Sequence, residues 1–440
     1  MLLAYIEDKL DIKLELIQVA ATSYNNRARI VMTQSDGPDA LVWTAFPQAE
    51  LLNYARTGQL HPLDEQLTDY PNLLDIPASI VESARMDGKL FGIPRPRATV
   101  DQAVFIRQDW LDRLGMPTPR SLDDYTSTAI RFATSDPDGN GKPDTFGFAA
   151  SHHLGAVWDM SYAFDTGHIW KATEDGTLIH SHMTTGREQA LNWMRQLYAA
   201  RGLDPRYQEW NTRQMHQRFA AGHTGILISQ ISNFHHIQQD LHRQNPSAQL
   251  AMLPPPVGPS GVSGFAERPG FYGQFIIPAR VPDEKVKRVL ELLDWMSSAE
   301  AAHIRKYGIE GFHHTVAANS EPLVDHARME KEGVEAIFFM NRYDPYYYVM
   351  PHAPSDIQRQ QRAILDQVRS SGIRNPAEAF LPTVQYNIGG LYSSDITEYF
   401  DQYVTGEVSE DSFAEFRSEW WNNGGRAATE EVNRWYRQPE

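Results

Sequence analysis

Two hydrophobic periods alternate at the start of the chain, and this alternation constrains the fold more than any other feature. Apolar residues in "LLAYIEDKL" (2–10) are spaced as on one face of a helix, whereas "DIKLELI" (11–17) alternates as in a strand. A helical stretch from Ser23 to about Met32 and the strand "ALVW" (40–43) follow. Helices that alternate with strands predict an α/β protein whose mostly parallel sheet is flanked by helices.

Length, charge and composition limit the classes of function. A chain of 440 residues exceeds one ordinary hydrophobic core and predicts two or more lobes. The net charge of −16 argues against nucleic acid or an anionic membrane surface as the main partner. No apolar run approaches the length of a membrane helix. Small solutes remain possible ligands. The absence of cysteine excludes disulfides, thiol catalysis and Cys-based metal centres.

The segment "SDPDGNGKPDTFGF" (135–148) has the spacing of an EF-hand calcium loop. Counted from Asp136 as position 1, side-chain oxygens recur at positions 3, 5 and 9, and Gly141 allows the sharp bend at position 6. The predicted calcium ligands are the side chains of Asp136, Asp138, Asn140 and Asp144 and the backbone carbonyl of Lys142. We therefore predict one Ca²⁺ ion as a structural cofactor.

Two features distinguish this loop from that of a calcium sensor. Position 12, where an EF-hand supplies a bidentate Glu, is Gly147. The following "FGFAA" (146–150) predicts a strand or a tight turn rather than an exit helix. The alternative to a calcium site is a polar turn without an ion, because Asp, Gly and Pro dominate turns.

The chain has more large aromatic residues than a core of its size requires, with 10 Trp, 19 Tyr and 19 Phe. Sugars pack their C–H faces on aromatic rings, so we expect part of this excess to line a ligand cleft. The predicted ligand-binding aromatic residues are Trp43, Trp158, Tyr162, Trp210, Phe271 and Tyr272. The alternative for each ring is a place in the hydrophobic core.

Four polar residues are further candidates for ligand contacts. Arg95 and Arg97 flank prolines in "IPRPRATV", and a planar guanidinium suits a ligand that carries a uronate carboxylate. Gln230 and Asn233 follow the strand "TGILIS", where they could reach sugar hydroxyls. The alternative for the two arginines is a solvated place on the surface. The alternative for Gln230 and Asn233 is that they cap the next helix.

Three pairs of adjacent histidines raise the alternative of a zinc site. These pairs are His152–His153, His235–His236 and His313–His314. Adjacent side chains point in different directions on a strand or a helix, and the chain contains no His-Glu-x-x-His pattern. The sequence therefore argues against zinc.

Several segments, in their order along the chain, resemble the extracellular solute-binding proteins of bacterial ABC importers, in particular the sugar-binding lipoproteins related to alginate-binding proteins. These segments include "YIEDKLDIKLEL", "DGKLFGIP", "IRQDWLDRLGMPTPRSLDDY", "DPDGNGKPDTFGF", "RFAAGHTGILIS", "YGIEGFHHT" and "LPTVQY". Each segment alone is weak evidence of the family. Their occurrence together and in this order makes the resemblance specific.

The resemblance implies a two-lobed clamp of the periplasmic-binding-protein type, in which each lobe is a mostly parallel sheet flanked by helices and the chain crosses between the lobes several times. We expect residues 1–98 and 270–320 to form the N-lobe, and residues 99–269 and 321–440 to form the C-lobe, which contains the calcium loop 136–147. An oligosaccharide is then expected in the interlobe cleft, and the calcium ion is expected to be structural and remote from the sugar.

The resemblance also implies what the protein does and where it acts. We expect a monomeric extracellular receptor that binds without breaking a bond and docks on the membrane permease subunits of an ABC importer. Relatives are lipoproteins with a signal peptide and a lipidated Cys, and neither is present in this sequence. The sheet also lacks a strand ahead of its first helix, so we expect the true N-terminus to be missing. The alternative function is a carbohydrate-active enzyme, a glycosidase or lyase with a stabilising calcium.

Overall fold

A computed structural model describes residues 1–44, 49–316, 322–350, 353–380 and 394–437. The "LPTVQY" segment at 381–386 lies outside these ranges. The chain divides into two units, each built from separate stretches of sequence. The first unit contains Met1–Ala98 and Pro269–Tyr347, and the second contains Thr99–Arg268 and Tyr348–Glu440.

Helices and strands alternate along both units. The helices are α1 Leu2–Leu10, α2 Ala21–Met32, α3 Ala49–Arg56, α4 Pro71–Leu74, α5 Ala78–Ala84, α6 Gln108–Leu114, α7 Leu122–Thr134, α8 Thr185–Ala199, α9 Thr212–Ala220, α10 Phe234–Gln244, α11 Asp283–Met296, α12 Ala299–Tyr307, α13 His326–Lys331, α14 Val334–Ile337, α15 Ser355–Arg369, α16 Ser394–Thr405, α17 Ser412–Trp420 and α18 Arg426–Tyr436. The strands are β1 Leu41–Trp43, β2 Gly92–Pro96, β3 Gln102–Arg107, β4 Phe146–Phe148, β5 Trp170–Ala172, β6 Leu178–His180, β7 Thr224–Gln230, β8 Leu250–Leu253, β9 Phe271–Ile276, β10 His314–Val316 and β11 Pro322–Val324. Short 3₁₀ segments lie at Asp64–Asp69, Ser181–Met183, Tyr207–Glu209 and Ile231–Asn233, and a longer 3₁₀ segment, His152–Phe164, is interrupted by non-helical backbone at residues 153–155.

A three-stranded sheet of order β1-β9-β2 lies in the first unit, and both of its strand pairs are antiparallel. Successive side chains of β9 enter different hydrophobic clusters because a strand alternates its side chains between two faces. Phe275 packs with residues of α1 and α11, whereas Ile276 packs with residues of α2 and α3. The predicted strand over 11–17 is wrong, because this stretch is irregular.

The second unit contains a four-stranded sheet of order β4-β7-β3-β8. Only the pair β4–β7 is parallel, and β3 pairs antiparallel with both β7 and β8. The predicted mixture of helices and strands is confirmed, but the predicted mostly parallel sheets are wrong for the described strands. The reason is long-range pairing: β1 and β2 both pair with β9, which follows them only after a long excursion through the second unit.

The chain returns from the second unit to the first at Pro269, one residue before the expected position. It leaves the first unit again after Tyr347, whereas the sequence predicts this passage after residue 320. Residues 322–347 were expected in the C-lobe but belong to the first unit. Val334, Phe338 and Met340 explain this difference, since all three are buried in the same core cluster as Leu2 and Ile6 of α1. The separation of the chain into two functional lobes stays a prediction.

Local signals in the sequence place the elements around the calcium loop. Ser121 caps α7, and its side chain and that of Asp124 form the reciprocal hydrogen bonds of a capping box. The loop then leads into β4 rather than into a helix, as "FGFAA" predicts. Gly147 in β4 has no room for a side chain, because a Cβ atom there would lie 2.4 Å from the Cβ of Ala129 in α7.

Candidate ligand-binding sites and the calcium loop

A buried carboxylate lies directly before β3 in the second unit. Asp101 is only 2% exposed. Its Oδ2 atom accepts a hydrogen bond from Nε2 of Gln230 at 2.7 Å, and its Oδ1 atom accepts one from Nε of Arg268 at 3.1 Å. The guanidinium compensates the buried charge, and the carboxylate in turn holds the Gln230 side chain in place.

A second carboxylate, Asp159, lies close to the same guanidinium. It is half-buried and accepts a hydrogen bond from Nε2 of Gln102 at 2.7 Å. Burial raises the pKa of Asp159 to about 6, while the hydrogen bond from Gln102 and the charge of Arg268 oppose the rise. We call Asp101, Gln102, Asp159, Gln230 and Arg268 the polar group of the second unit.

The polar group has the chemistry of a hydroxyl-binding site. Its carboxylates accept hydrogen bonds, and its amides and guanidinium donate them, which is the mixture that a sugar ring with several hydroxyls requires. Gln230 is exposed although its amide is already bonded to Asp101, so the side chain reaches the surface in a fixed orientation.

Two predicted aromatic residues of the second unit lie in the 3₁₀ segment His152–Phe164. The half-buried ring of Trp158 stacks on Phe400 with centroids 5.0 Å apart, and the guanidinium of Arg187 lies 4.5 Å from its centre. Tyr162 is 7% exposed, and burial raises the pKa of its hydroxyl. The Trp158 ring therefore already contacts two residues of its own unit, and the Tyr162 ring is buried within that unit.

Trp210 and Asn233 are also engaged by neighbouring residues. The Trp210 indole donates to Oδ2 of Asp204 at 3.3 Å, and the Arg218 guanidinium lies 4.6 Å from its ring. Asn233 precedes α10 without capping it through its side chain; its amide instead donates to the Ser229 hydroxyl at 3.1 Å. The contact of both residues with ligand stays a prediction.

Arg95 and Arg97 lie at the end of β2 in the first unit. Nη1 of Arg97 donates to Oδ1 of Asn341 at 2.6 Å, and its guanidinium lies 4.2 Å from the centre of the Tyr347 ring. Burial, followed by the charge of Arg97, lowers the pKa of Arg95. The Nε atom of Arg95 is shielded from solvent and has no hydrogen-bond partner in the described part of the chain.

A third guanidinium adds to this positive charge. Arg305 also lowers the pKa of Arg95 through its charge, and it lies 5.9 Å from the centre of the same Tyr347 ring. Arg305 pairs with the carboxylate of Glu335, with Nε 3.1 Å from Oε2. We call Arg95, Arg97 and Arg305 the arginine cluster of the first unit; Glu335 offsets the charge of Arg305.

The predicted aromatic residues of the first unit differ in exposure. Trp43 and Phe271 are 3% and 6% exposed and belong to hydrophobic clusters, whereas Tyr272 is 58% exposed on β9. Pro96 of β2 pairs with Phe271 at a bulge, so Arg95 and Tyr272 lie at the same level of neighbouring strands. Only Tyr272 among these rings offers an open face, and the other two stay untested predictions.

Sequence reasoning missed Asp101, Gln102, Asp159 and Arg268 in one unit and Arg305 in the other. Asp101 and Gln102 stand at the start of a strand, and Asp159 directly follows Trp158, so polar residues beside the chosen positions were a usable signal. Arg268 and Arg305 carried no local signal, because long-range packing brings them to Asp101 and Arg95.

In the candidate calcium loop, the side chains of Asp136, Asp138 and Asp144 all accept hydrogen bonds from Asn140, through its backbone N–H or its side-chain amide. Nδ2 of Asn140 donates to Oδ2 of Asp138 at 2.7 Å and to Oδ1 of Asp144 at 3.1 Å. The backbone N–H of Gly141 donates to Oδ2 of Asp136 at 3.0 Å, and that of Lys142 donates to Oδ1 of Asn140 at 2.7 Å. Asp138 and Asp144 thus point at the Asn140 amide, whereas Asp136 accepts hydrogen bonds from the backbone N–H groups of Asn140 and Gly141.

The acidic residues of the loop also disturb one another's protonation. A hydrogen bond with Asp138 lowers the pKa of Asp136, whereas burial and then that hydrogen bond raise the pKa of Asp138. A cation would relieve this competition for one proton. Thr145, at position 10, directs its hydroxyl to α7 rather than to the other loop side chains, because this hydroxyl donates a hydrogen bond to the carbonyl of Phe132 at 2.8 Å.

The family of the chain follows from its match to a family model. Residues 2–303 match the model of the bacterial extracellular solute-binding proteins. The chain therefore belongs to this family, and the resemblance read from the sequence is confirmed. The family and the fold are those of substrate-binding proteins rather than of enzymes.

Two curated relatives span nearly the whole chain. The chain is 26% identical to lipoprotein LipO of Bacillus subtilis (strain 168), and the match covers 96% of this chain and 86% of that protein. It is 23% identical to the polygalacturonan/rhamnogalacturonan-binding protein YtcQ of the same strain, with coverage of 98% and 87%.

Structural comparison gives the same fold. The ABC-transporter substrate-binding protein FusA of Streptococcus pneumoniae, in complex with kestose, matches with a TM-score of 0.71 at 16% identity, covering 99% of this chain and 94% of that one. An EF-hand mutant of FusA in complex with fructo-nystose matches equally well. Over the residues that the structure describes, no helix has the length and apolar character to span a bilayer.

Proposed function

We propose that the protein is an extracellular receptor that binds an oligosaccharide and delivers it to an ABC importer. Membership of the solute-binding family carries this proposal. The names of YtcQ and FusA, one a polygalacturonan-binding protein and the other an oligosaccharide transporter component, support a sugar as the solute. The polar group of the second unit supplies the donors and acceptors that sugar hydroxyls need.

The proposal includes the place of action and the partners. The protein acts outside the cell as a lipid-anchored monomer, and the membrane permease subunits of the importer receive its ligand. The name of LipO as a lipoprotein supports the anchor. Ligand binding in a cleft between two lobes, as the resemblance implies, belongs to the same proposal.

Within this function, the arginine cluster favours sugars that carry carboxylates. Arg95 is half-buried, and its guanidinium can donate charge-assisted hydrogen bonds to a uronate carboxylate. Tyr272 supplies an exposed ring on the neighbouring strand, against which a sugar face can pack.

Calorimetric titration with a panel of neutral and uronate oligosaccharides tests the function. We expect at least one to bind without any product appearing by chromatography. Tyr272→Ala should weaken the binding of that ligand by about 1–3 kcal/mol, because a ring that packs on a sugar carries much of the contact energy. Tyr436→Ala, which removes an exposed ring of α18, should leave the affinity unchanged. Turnover of the sugar would contradict the receptor, and unchanged binding by Tyr272→Ala would contradict the assignment of this ring.

We also propose that the loop holds one structural Ca²⁺ ion through Asp136, Asp138, Asn140, Asp144 and the carbonyl of Lys142. The donor set fits, since calcium prefers oxygen ligands and the loop carries three carboxylates that all accept hydrogen bonds from Asn140. Asn140 must turn its amide so that Oδ1 replaces Nδ2 at the centre. The EF-hand named in the FusA mutant supports a related site in that protein.

Removal of calcium is expected to lower the melting temperature by a few degrees. An ion that binds only the folded state at a hundred times its Kd stabilises it by about 2.7 kcal/mol, which corresponds to a few degrees for a chain of this size. Differential scanning calorimetry with chelator, and then with calcium restored, measures the shift. Asp138→Ala should melt at the lower temperature and respond to neither treatment.

Two controls separate this site from the sugar site. Asp240→Ala, which removes an exposed carboxylate of α10, should keep the response to calcium. Sugar affinity measured well below the melting temperature should not change on chelation. If melting ignores the chelator, the loop is a turn without an ion; if chelation abolishes sugar binding by folded protein, the ion belongs to the ligand site.

A further inference from the structure

The backbone at His153 has a left-handed conformation, which few residues other than glycine adopt. His153 and Leu154 have φ values of +57° and +64°, and Gly155 follows at +52°. The left-handed region is unfavourable for residues with a Cβ atom, because the Cβ atom comes too close to the following carbonyl oxygen. Proteins retain such strain where it positions a functional group.

This course brings two adjacent imidazoles together. The ring centroids of His152 and His153 are 3.7 Å apart, at an interplanar angle of 43°. The sequence argued against zinc here because adjacent side chains diverge on a regular strand or helix. That premise is wrong for this pair, since the segment is neither regular nor right-handed throughout.

A buried carboxylate completes the group. Asp401 of α16 is 4% exposed, and its Oδ2 atom lies 2.8 Å from Nδ1 of His153. Its Oδ1 atom accepts a hydrogen bond at 2.8 Å from the hydroxyl of Tyr207, which is fully buried. One donor atom each from His152, His153 and Asp401 lie within 4.8 Å of one another, and no other such group occurs within the described residues.

The spacing suits a tetrahedral ion. Metal–ligand bonds of about 2.0–2.1 Å place two ligand atoms about 3.3 Å apart. The contact between His153 and Asp401 therefore needs to open by only about half an ångström. His152 is exposed, so its side chain can rotate toward the same point. Tyr207 holds the carboxylate as an outer partner, which is how proteins orient metal ligands.

We propose that His152, His153 and Asp401 bind one divalent transition-metal ion, for which Zn²⁺ is the best fit. Two imidazole nitrogens and a carboxylate form a donor set that suits Zn²⁺, Cu²⁺ or Ni²⁺ rather than Ca²⁺. The ion takes the place of the direct contact between His153 and Asp401 and ties the segment His152–Phe164 to α16. The site is distinct from the calcium loop, whose donors are all oxygens.

Titration of the full chain with ZnCl₂ in excess calcium tests the proposal, because calcium occupies the oxygen-rich loop. Calorimetry should show one high-affinity zinc per chain. Tyr207→Phe should weaken zinc binding by about tenfold or more, as loss of an outer partner does, and His152→Ala and His153→Ala should weaken it further. The double variant His235→Ala/His236→Ala, which removes another adjacent pair, should bind zinc like the natural chain.

Electron paramagnetic resonance with Cu²⁺ identifies the ligands directly. The natural chain should show coupling to two imidazole nitrogens, and each single histidine variant should show coupling to one. Zinc uptake that survives both His152→Ala and His153→Ala, or no uptake by the natural chain, overturns the proposal. Because His152 is exposed, His152→Ala should fold even if His153→Ala does not, and circular dichroism without metal checks both.

Discussion

Replacing Arg95 with Gln is expected to lower the affinity for a uronate oligosaccharide about a hundredfold and to leave the affinity for a neutral one nearly unchanged. The half-buried guanidinium of Arg95 can form a charge-assisted hydrogen bond to a carboxylate, and loss of such a bond costs about 2–3 kcal/mol. A neutral sugar lacks that acceptor. Calorimetric titration of the variant with acidic and neutral sugars of equal length measures the difference.

Stability without ligand provides a second readout for Arg95. Burial and the charges of Arg97 and Arg305 all disfavour its charged form, so Arg95→Gln should be at least as resistant to urea as the natural chain. Arg426→Gln removes the same charge from an exposed pair with Glu430 and controls for net charge. An equal loss of affinity for both sugars would contradict a carboxylate-specific role, whereas binding of no sugar at all would contradict the proposed function instead.

Elements with strong local signals were predictable from the sequence. The capping box of Ser121 and Asp124 starts α7 where it was expected, because both halves of the box lie within four residues. The exit of the calcium loop into β4 followed from "FGFAA" in the same way. Sheet direction was not predictable, since β9 pairs with β1 and β2 across a whole unit of intervening chain.

The same limit applies to the candidate sites. Residue type made Arg95 and Tyr272 candidates for ligand contact, but no local pattern distinguishes the exposed Tyr272 from the buried Phe271 before the strand register is known. Trp158 is engaged by Phe400 and Arg187, which lie far from it in sequence. The pairing of Asp401 with His153 likewise depends on how α16 packs, and the left-handed backbone at His153 has no signature in its neighbours.

Stability of the second unit is expected to fall as the pH drops below about 6.5, because it contains histidines that are buried in the neutral form. His180 is fully buried between the rings of Trp170 and Trp420. Burial, with a smaller effect from the charge of Arg187, lowers its pKa to about 3. Its Nδ1 atom accepts a hydrogen bond from the backbone N–H of His182 at 3.2 Å, which protonation of that atom would abolish.

The sign and size of this effect follow from proton linkage. The unfolded chain binds a proton at His180 near pH 6.5 and the folded chain only near pH 3. The contribution of this residue is therefore complete above about pH 6.5 and is lost progressively as the pH falls toward 3, by about 2–3 kcal/mol at pH 4.5. His168, whose pKa burial lowers to about 4, acts in the same direction. Asp159 acts in the opposite direction, because its raised pKa makes the folded chain bind a proton more readily.

Urea unfolding at pH 7 and pH 4.5 isolates the contribution of His180. His180→Phe keeps an aromatic ring against Trp420 but cannot titrate, so its free energy of unfolding should lose about 2–3 kcal/mol less between the two pH values than that of the natural chain. His236→Phe, which replaces an exposed histidine of α10, should retain the full loss. Asp159 and His168 are present in all three proteins, so their effects cancel in the comparison. If His180→Phe and the natural chain lose the same stability, His180 titrates normally in the folded protein and its burial does not control the response to acid.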